Sequence, residues 1–420
     1  MRILHTVEFY HPSVGGMQEV VRQLSERLAS RGHSVTVATS KIPARTEFTL
    51  NGVNIIEFSV SGNAVRGLQG ETEKYKDYLL SSDFDVVTNF AAQQWATDLM
   101  LPIMGRIKAA KVFVPTGFSG LYAPEYRRYF EEMKVFMRKY DMNVFLSEDY
   151  RDINYALAHG IEKRILIPNG AGEDEFSRTD LPDIRSKYGI PPENTLILHV
   201  GSHTGGKGHT EAIEIFRRAK IKNATLLIAG NYFPSWETLH LDRLRKVKRQ
   251  IAREVFSIAF KLFGHVRCPE HCHKAASFFN SSRARASDGK SLLIHSLERD
   301  EVLAAYRTAD LFLFPSNIEC SPLVLFECMA SKTPYLTTDV GNAREIIEWS
   351  GSGLMLPTKR VRNGNSKAEI RGAVRMLEDL CGDISARQEM AERGYQAWKD
   401  RFTWEKLTLD YEALYESLIK

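Results

Sequence analysis

Two carboxylates and one ammonium are the groups in this chain best suited to hold a charged, hydroxyl-rich ligand. Glu319 and Glu327 stand eight residues apart in Pro315-Ser-Asn-Ile-Glu-Cys-Ser-Pro-Leu-Val-Leu-Phe-Glu-Cys-Met-Ala330, directly after the apolar run Leu311–Phe314. Pro322 suits the first turn of a helix starting there, whose positive end then lies beside Glu319. Glu327 falls on that helix among Val324, Leu325 and Phe326, where a carboxylate must find donors. Ligand hydroxyls are suitable ones, and two ordinary acids are the alternative. Lys207 sits in Gly201-Ser-His-Thr-Gly-Gly-Lys-Gly208, a loop that offers backbone N–H groups and a point charge to a diphosphate. Gly208 stands where the Walker signature requires Ser or Thr, and a solvated loop lysine is the alternative. Gly15 and Gly16, in Pro12-Ser-Val-Gly-Gly-Met17, precede a helix and form either a phosphate cradle or a plain tight turn. Their spacing is not Gly-x-Gly-x-x-Gly, which disfavours a dinucleotide-dependent dehydrogenase.

These residues need elements to position them. The run 2–7, the glycine loop, an amphipathic stretch with Val20, Val21, Leu24 and Leu28, and then Ser34–Ala38 read as a β-α-β unit. Val53–Phe58, Phe84–Val87, Lys111–Val114, Met142–Leu146 and Arg164–Ile167 continue the rhythm. A second series runs through Thr195–Val200, Thr225–Ala229, Ser291–Ile294, Leu311–Phe314 and Thr333–Thr337. Alternating strands and helices predict parallel sheets covered on both faces, hence an α/β class with two doubly wound domains. The expected first domain is 1–170, joined by a C-terminal helix at about 402–420 with Leu407, Tyr411, Leu414 and Leu418 on one stripe. The second is 171–401, entered through the Gly- and Pro-rich segment Asn169–Pro192 and carrying an insertion at 231–290. The carboxyl ends of the strands, and a cleft between two such sheets, are the expected ligand site.

Composition narrows the classes. In 420 residues, hydrophobic types make up 43% and charged types 26%, which fits an ordinary globular chain and excludes disorder and collagen. The balance of 56 basic against 52 acidic residues gives +4, too mild to imply a nucleic-acid partner. Five cysteines form no even framework, the amino terminus lacks a signal-type apolar core, and no stretch of about 18 apolar residues occurs. The expectation is a cytoplasmic protein that does not span a membrane.

Glu319-x7-Glu327, taken with Val200-Gly201, Lys207-Gly208, Ile167-Pro-Asn-Gly170, Pro315-Ser316 and Thr338-Asp-Val-Gly341, resembles glycosyltransferase family 4 over nearly the whole chain. The resemblance implies a GT-B fold of two facing Rossmann-like domains, with the C-terminal helix returning to the first. It also implies a retaining hexosyl transfer from a nucleotide-sugar donor to a glycan or lipid-linked acceptor, without metal or other cofactor. The product class would be a cell-surface polysaccharide, lipopolysaccharide or glycolipid precursor. Carried over by residue, Lys207 and Glu319 form the catalytic pair, on donor diphosphate and transferred sugar, and Glu327 takes the ribose hydroxyls. Gly201 belongs to the donor loop, and Gly15 and Gly16 lie near phosphate and acceptor. Backbone contacts after Glu319 fall to Ser321 or Leu323, since Pro322 has no N–H. Thr116 stands where the family has a histidine, and Ser202 where it often has an arginine. Two rivals accompany this reading: a nucleotide-sugar 2-epimerase, whose acid/base set is not located, and a catalytically degraded sugar-nucleotide-binding scaffold, which Thr116 and Ser202 favour.

Within the insertion, Leu241, Leu244, Val247, Ile251, Val255, Ile258 and Leu262 recur at helical spacing, and 241–266 carries seven basic and two acidic residues. Such a helix suits the anionic inner face of a plasma membrane as a peripheral contact, or it packs on the second domain with a solvated basic face. His265-Val-Arg-Cys-Pro-Glu-His-Cys-His273 holds ligand types that zinc accepts at irregular spacing; it reads as a surface turn, and no metal is expected.

Overall fold

The computed structural model describes residues 1–230, 268–281, 288–361 and 364–419. The basic segment 241–266 and residues 265–267 of the Cys/His cluster lie outside the described residues; Cys268–His273 begin the helix Cys268–Phe279 rather than the expected surface turn. The chain divides into two compact units, Met1–Asp174 with Cys320–Phe326 and Trp398–Lys420, and Glu175–Glu319 with Glu327–Ala397.

Ten strands belong to the first unit: β1 (Arg2–Thr6), β2 (Ser34–Ser40), β3 (Thr49–Leu50), β4 (Val53–Phe58), β5 (Val60–Asn63), β6 (Gly67–Gly70), β7 (Val86–Phe90), β8 (Ala110–Val114), β9 (Met142–Phe145) and β10 (Arg164–Leu166). Eight of them form one sheet in the order β10-β9-β8-β7-β1-β2-β4-β3, and β5 and β6 pair as a separate hairpin. All ladders of the large sheet are parallel except β3–β4. The central strands are buried on both faces, which is why they read as near-continuous apolar runs. Ile3 pairs with Val35 on one side and with Val86 on the other, so the strand order reverses between β1 and β7. At such a switch point the loops diverge and leave room for a ligand.

Strand β7 runs three residues beyond the apolar stretch Phe84–Val87, and its buried polar residues Thr88 and Asn89 are both paired. The Asn89 amide donates to Thr6 Oγ1 at 2.7 Å and Asn89 Oδ1 accepts from the Tyr140 hydroxyl at 2.7 Å, while Thr88 Oγ1 meets the Tyr415 hydroxyl at 2.8 Å. Tyr415 belongs to the helix Trp404–Leu418, which buries Trp404, Leu407, Tyr411 and Leu414 against Val20, Val21 and Leu24 of the helix Gly16–Ser30. Each such side chain contributes about 1.5–3 kcal/mol when fully buried.

The second unit holds β11 (Thr195–Val200), β12 (Ala224–Ala229), β13 (Ser291–His295), β14 (Leu311–Phe314), β15 (Tyr335–Thr337) and β16 (Gly353–Met355) in the order β13-β12-β11-β14-β15-β16, with a hairpin of β17 (Thr358–Arg360) and β18 (Ser366–Ala368). The six-stranded sheet is parallel throughout, and its switch point lies between β11 and β14. Cys272 is buried in this unit's apolar cluster, and Cys328 and Cys381 are free thiols.

The division differs from the expected block 171–401. Cys320 and Leu323 pack against the first unit's apolar cluster, Phe326 meets Phe402 at 5.3 Å, and Trp398 Nε1 donates to Ala171 O at 3.0 Å. These contacts draw Cys320–Phe326 and the stretch from Trp398 onward into the first unit. Among the described residues no helix is long and apolar enough to cross a membrane.

His5 lies fully buried under the C-terminal helix, with Nδ1 2.7 Å from Ser25 Oγ and Nε2 3.2 Å from the Tyr415 hydroxyl. Burial lowers its imidazole to about 3. The unfolded chain therefore binds a proton near pH 6.5 that the folded chain refuses, so this contribution is complete above that pH and drains away as pH falls toward 3. Thermal melts at pH 7 and pH 4.5 should show a smaller loss in His5→Gln than in the parent; equal losses would assign the acid sensitivity to other groups.

Candidate active site

The loops that leave β11 and β14 carry Lys207 and Glu319. They are stitched together by backbone first: Asn317 N–H donates to Gly206 O at 2.8 Å, and Ser366 N–H to Asn317 O at 2.8 Å. Gly208 makes the close approach feasible, since a Cβ there would lie 1.9 Å from Pro315 O and its φ is +75°. On this frame Lys207 Nζ donates to both carboxylate oxygens of Glu319, at 2.8 Å each. Ser316 Oγ donates to Glu319 Oε1 at 2.7 Å. Glu319 keeps 10% of its side chain exposed and Lys207 keeps 32%, so the ammonium is the more solvated partner. Gly201 lies under the lysine stem, where a Cβ would stand 3.1 Å from Lys207 Cβ. Ser202 is half-buried, and its carbonyl accepts from Thr204 N–H at 2.7 Å.

Glu327 is buried on the helix Leu323–Ala330 and finds a protein donor. Arg299 Nη1 donates to Glu327 Oε1 at 2.6 Å, and the same guanidinium grips Glu175 through Nε at 3.1 Å and Nη2 at 2.7 Å. The buried Tyr306 hydroxyl lies beside Glu327; burial first, and then the Glu327 charge, push it well above the ordinary phenol range. Arg299 and Glu175 escaped the sequence reading. One signal was present: Arg299 opens the helix Arg299–Thr308, and a cation in a first turn opposes the dipole unless an acid holds it.

In the first unit, Gly15 and Gly16 stand where the helix Gly16–Ser30 begins, after β1. Thr116, at the carboxyl end of β8, has φ 57°, followed by Gly117 at 94° and Phe118 at 47°. A left-handed threonine is a strained residue, at a cost on the order of 1–3 kcal/mol, and such strain persists where surrounding structure enforces it. The enforcing contact is Asp152 Oδ2, which accepts from Gly117 N–H at 2.8 Å; burial raises this carboxyl to about 6. Ala91 and Gln93, just past β7, also have positive φ. Gln93 Oε1 accepts from Gly120 N–H at 3.0 Å, and Gln94 Oε1 from Glu8 N–H at 2.7 Å. Burial, and then the charge of Asp98, raise the Glu8 carboxyl. The strained positions lie at carboxyl ends of neighbouring strands, and only Thr116 was singled out in the sequence. Ser321 and Leu323 also belong to this unit: Ser321 O accepts from the Asn169 amide at 3.1 Å, and Leu323 Cδ1 would stand 3.8 Å from a Cβ on Gly16. Among the described residues no three His, Cys, Asp or Glu side chains assemble into a metal-holding group.

Two doubly wound units with parallel sheets define the class, which is the GT-B fold of glycosyltransferases. The structure of Anabaena HepE in complex with UDP and glucose matches with a TM-score of 0.70 at 13% identity, covering 100% of both chains. The family model for glycosyl transferases group 1 matches residues 180–395, and that for Glycosyltransferase Family 4 matches residues 14–175. The chain belongs to the glycosyl transferases group 1 family and is a glycosyltransferase. It is 20% identical to the N-acetyl-alpha-D-glucosaminyl L-malate synthase of Bacillus anthracis over 98% of this chain and 96% of the relative. Its identity to the lipopolysaccharide glucosyltransferase WaaG of Escherichia coli K12 is 24%, over 81% of this chain and 82% of the relative.

Two glycines of the lysine loop separate backbone strain from collision. Gly205 has φ +83° with nothing within 4 Å of a built Cβ, whereas the Cβ of Gly208 would strike Pro315 O. Gly205→Ala should cost about 1–2 kcal/mol, the left-handed penalty alone, and Gly208→Ala clearly more. Urea denaturation of both variants tests this; equal losses would mean that the loop yields to the collision.

Proposed function

We propose that this chain is a retaining glycosyltransferase that moves a sugar from a nucleotide-sugar donor to a glycan or lipid-linked acceptor. The observation that carries the proposal is the Lys207–Glu319 pair at the β11/β14 switch point, with Glu327 eight residues beyond. Lys207 is the residue for the donor diphosphate, where a point charge and nearby loop amides offset the negative charge that builds as the leaving group departs. Glu319 accepts hydroxyls of the transferred sugar, and Glu327 the ribose hydroxyls. In the unliganded protein Lys207 and Glu319 satisfy each other, and the arriving donor takes over both. With the diphosphate neutralised by lysine and amides, the reading needs no metal or other cofactor.

The bond changes are simple. The bond from the sugar's anomeric carbon to the diphosphate oxygen breaks, and a bond to the acceptor oxygen forms on the same face. The acceptor's proton passes to the departing phosphate oxygen, so no carboxylate nucleophile is required. Gly15 and Gly16 lie near phosphate and acceptor, the strained Thr116 loop near the transferred sugar, Ser321 or Leu323 meet the nucleotide-sugar donor through backbone N–H groups, and Gly201 and Ser202 line the lysine loop. HepE, crystallised with UDP and glucose, and WaaG, named for lipopolysaccharide, support a nucleotide-sugar donor and a cell-surface glycan product. A cytoplasmic location, with 241–266 resting on an anionic membrane surface, completes the proposal.

Incubating the purified chain with a panel of nucleotide sugars and scoring nucleoside diphosphate release tests it. Glu319→Ala should lower turnover about 10²–10³-fold, the loss seen when one preorganised polar group is removed from a transition-state site. Lys207→Ala should weaken donor binding as well. If the parent binds a sugar nucleotide yet never transfers or hydrolyses it, the chain is a binding scaffold instead.

A further inference from the structure

Arg299 touches Glu327, and the family resemblance did not bring it forward. Its guanidinium is held on three sides. Glu175 takes Nε and Nη2 in a bidentate grip, Glu327 takes Nη1 at 2.6 Å, and the Phe176 ring centroid lies 6.0 Å from the guanidinium carbon. Phe176 in turn stands 6.3 Å from the Tyr306 ring, whose hydroxyl lies near Glu327. The side chains of Glu175 and Glu327 are 15% and 10% exposed, and Arg299 is 39% exposed. One buried and one partly buried carboxylate thus share one planar cation, a geometry a lysine cannot reproduce because its single nitrogen lacks the fork.

We infer that Arg299, braced by Glu175, is a positioning residue that fixes the Glu327 carboxylate for the vicinal diol of a ribose and so makes the protein select ribonucleotides over 2′-deoxyribonucleotides. The chemistry follows from the acceptor count. A carboxylate has about four lone-pair sites on two oxygens; the guanidinium occupies one of them on Oε1 and fixes the rotamer, which orients the remainder. A diol needs two acceptor sites at a set angle and separation, which a freely turning carboxylate offers only part of the time. The guanidinium also supplies the counter-charge that a carboxylate buried among apolar residues requires. This inference rests on the ribose role proposed for Glu327.

Calorimetric titration of the full chain with UDP, GDP and ADP, and with dUDP, dGDP and dADP, reads the effect. The parent should bind the ribose form of its preferred diphosphate about tenfold or more tightly than the deoxy form, the scale of one hydrogen bond to a charged acceptor. Arg299→Gln should bring that ratio close to one while deoxy affinity stays within about twofold, a coupling that a general loss of structure does not produce. Arg299→Lys should restore only part of the ratio. Should Arg299→Gln melt at the assay temperature, Glu175→Gln, which leaves the Arg299–Glu327 contact in place and loosens only its brace, should reduce the ratio in the same direction. A ribose preference that survives in folded Arg299→Gln overturns the positioning role. A parent that binds a diphosphate with no ribose preference overturns the link to Glu327 while leaving the glycosyltransferase reading intact. A parent that binds none of the six overturns the nucleotide-donor reading itself.

Discussion

The reversal of strand order between the parallel strands β11 and β14 is the constraint on which the candidate site of the second unit depends. Parallel neighbours whose connections depart in opposite directions leave an open edge at their carboxyl ends. Here that edge is only as wide as the Gly206–Asn317 backbone bond allows. The spacing fixes how far the Lys207 and Glu319 side chains must reach, and they meet as a bidentate pair at 2.8 Å. The energy of that pair is modest, since a partly solvated ammonium gains little from a carboxylate. Its significance is geometric, because both groups are held at the edge with their charges mutually satisfied.

The first unit meets the same topology with different means. Its switch point, between β1 and β7, is flanked by backbone strain rather than by an ion pair. Ala91, Gln93, Thr116 and Phe118 all hold positive φ without being glycine, and the structure compensates with side-chain acceptors placed under the loops: Asp152 beneath Gly117, Gln93 beneath Gly120, Gln94 beneath Glu8. The strain is affordable because the sheet below is well satisfied. Asn89, Thr88 and His5 are buried polar groups in its centre, and each finds partners on Thr6, Tyr140, Ser25 or Tyr415. The C-terminal helix joins this network through Tyr415, which meets His5 and Thr88 in the strands below.

What could be read from sequence tracks what burial writes into it. The apolar runs Val53–Phe58, Thr195–Val200 and Leu311–Phe314 coincide with β4, β11 and β14 residue for residue; β11 and β14 are buried on both faces and carry mostly apolar side chains, while β4 exposes Asn54. Strand β7 is displaced because Thr88 and Asn89 are polar yet interior. The hairpins β5–β6 and β17–β18 left no periodic signal, being short and partly exposed. At the site, Lys207, Glu319 and Glu327 were legible because their spacing is local to two loops and one helix. Glu175 and Arg299 were not, since 124 residues separate them and only the fold brings them together. The strained loop was visible at Thr116 only by its place after a strand, for nothing in the sequence announces a positive φ at threonine.

The two carboxylates of one motif end with counter-ions of opposite character. Glu319 is paired with a lysine, a flexible stem bearing a compact charge, exposed enough to turn toward a new anion without leaving a void. Glu327 is paired with an arginine that is itself anchored by a second acid and an aromatic ring. A ligand can replace the first cation and cannot easily displace the second. The division suits a donor whose phosphate must be gripped and then released with each turnover while its nucleoside is held in a constant pose. On the proposed function, the reactive end of the donor would meet the exchangeable ion pair and the recognition end the fixed one, and the eight-residue spacing, spanning a loop and a helical turn, lets one short segment supply both carboxylates.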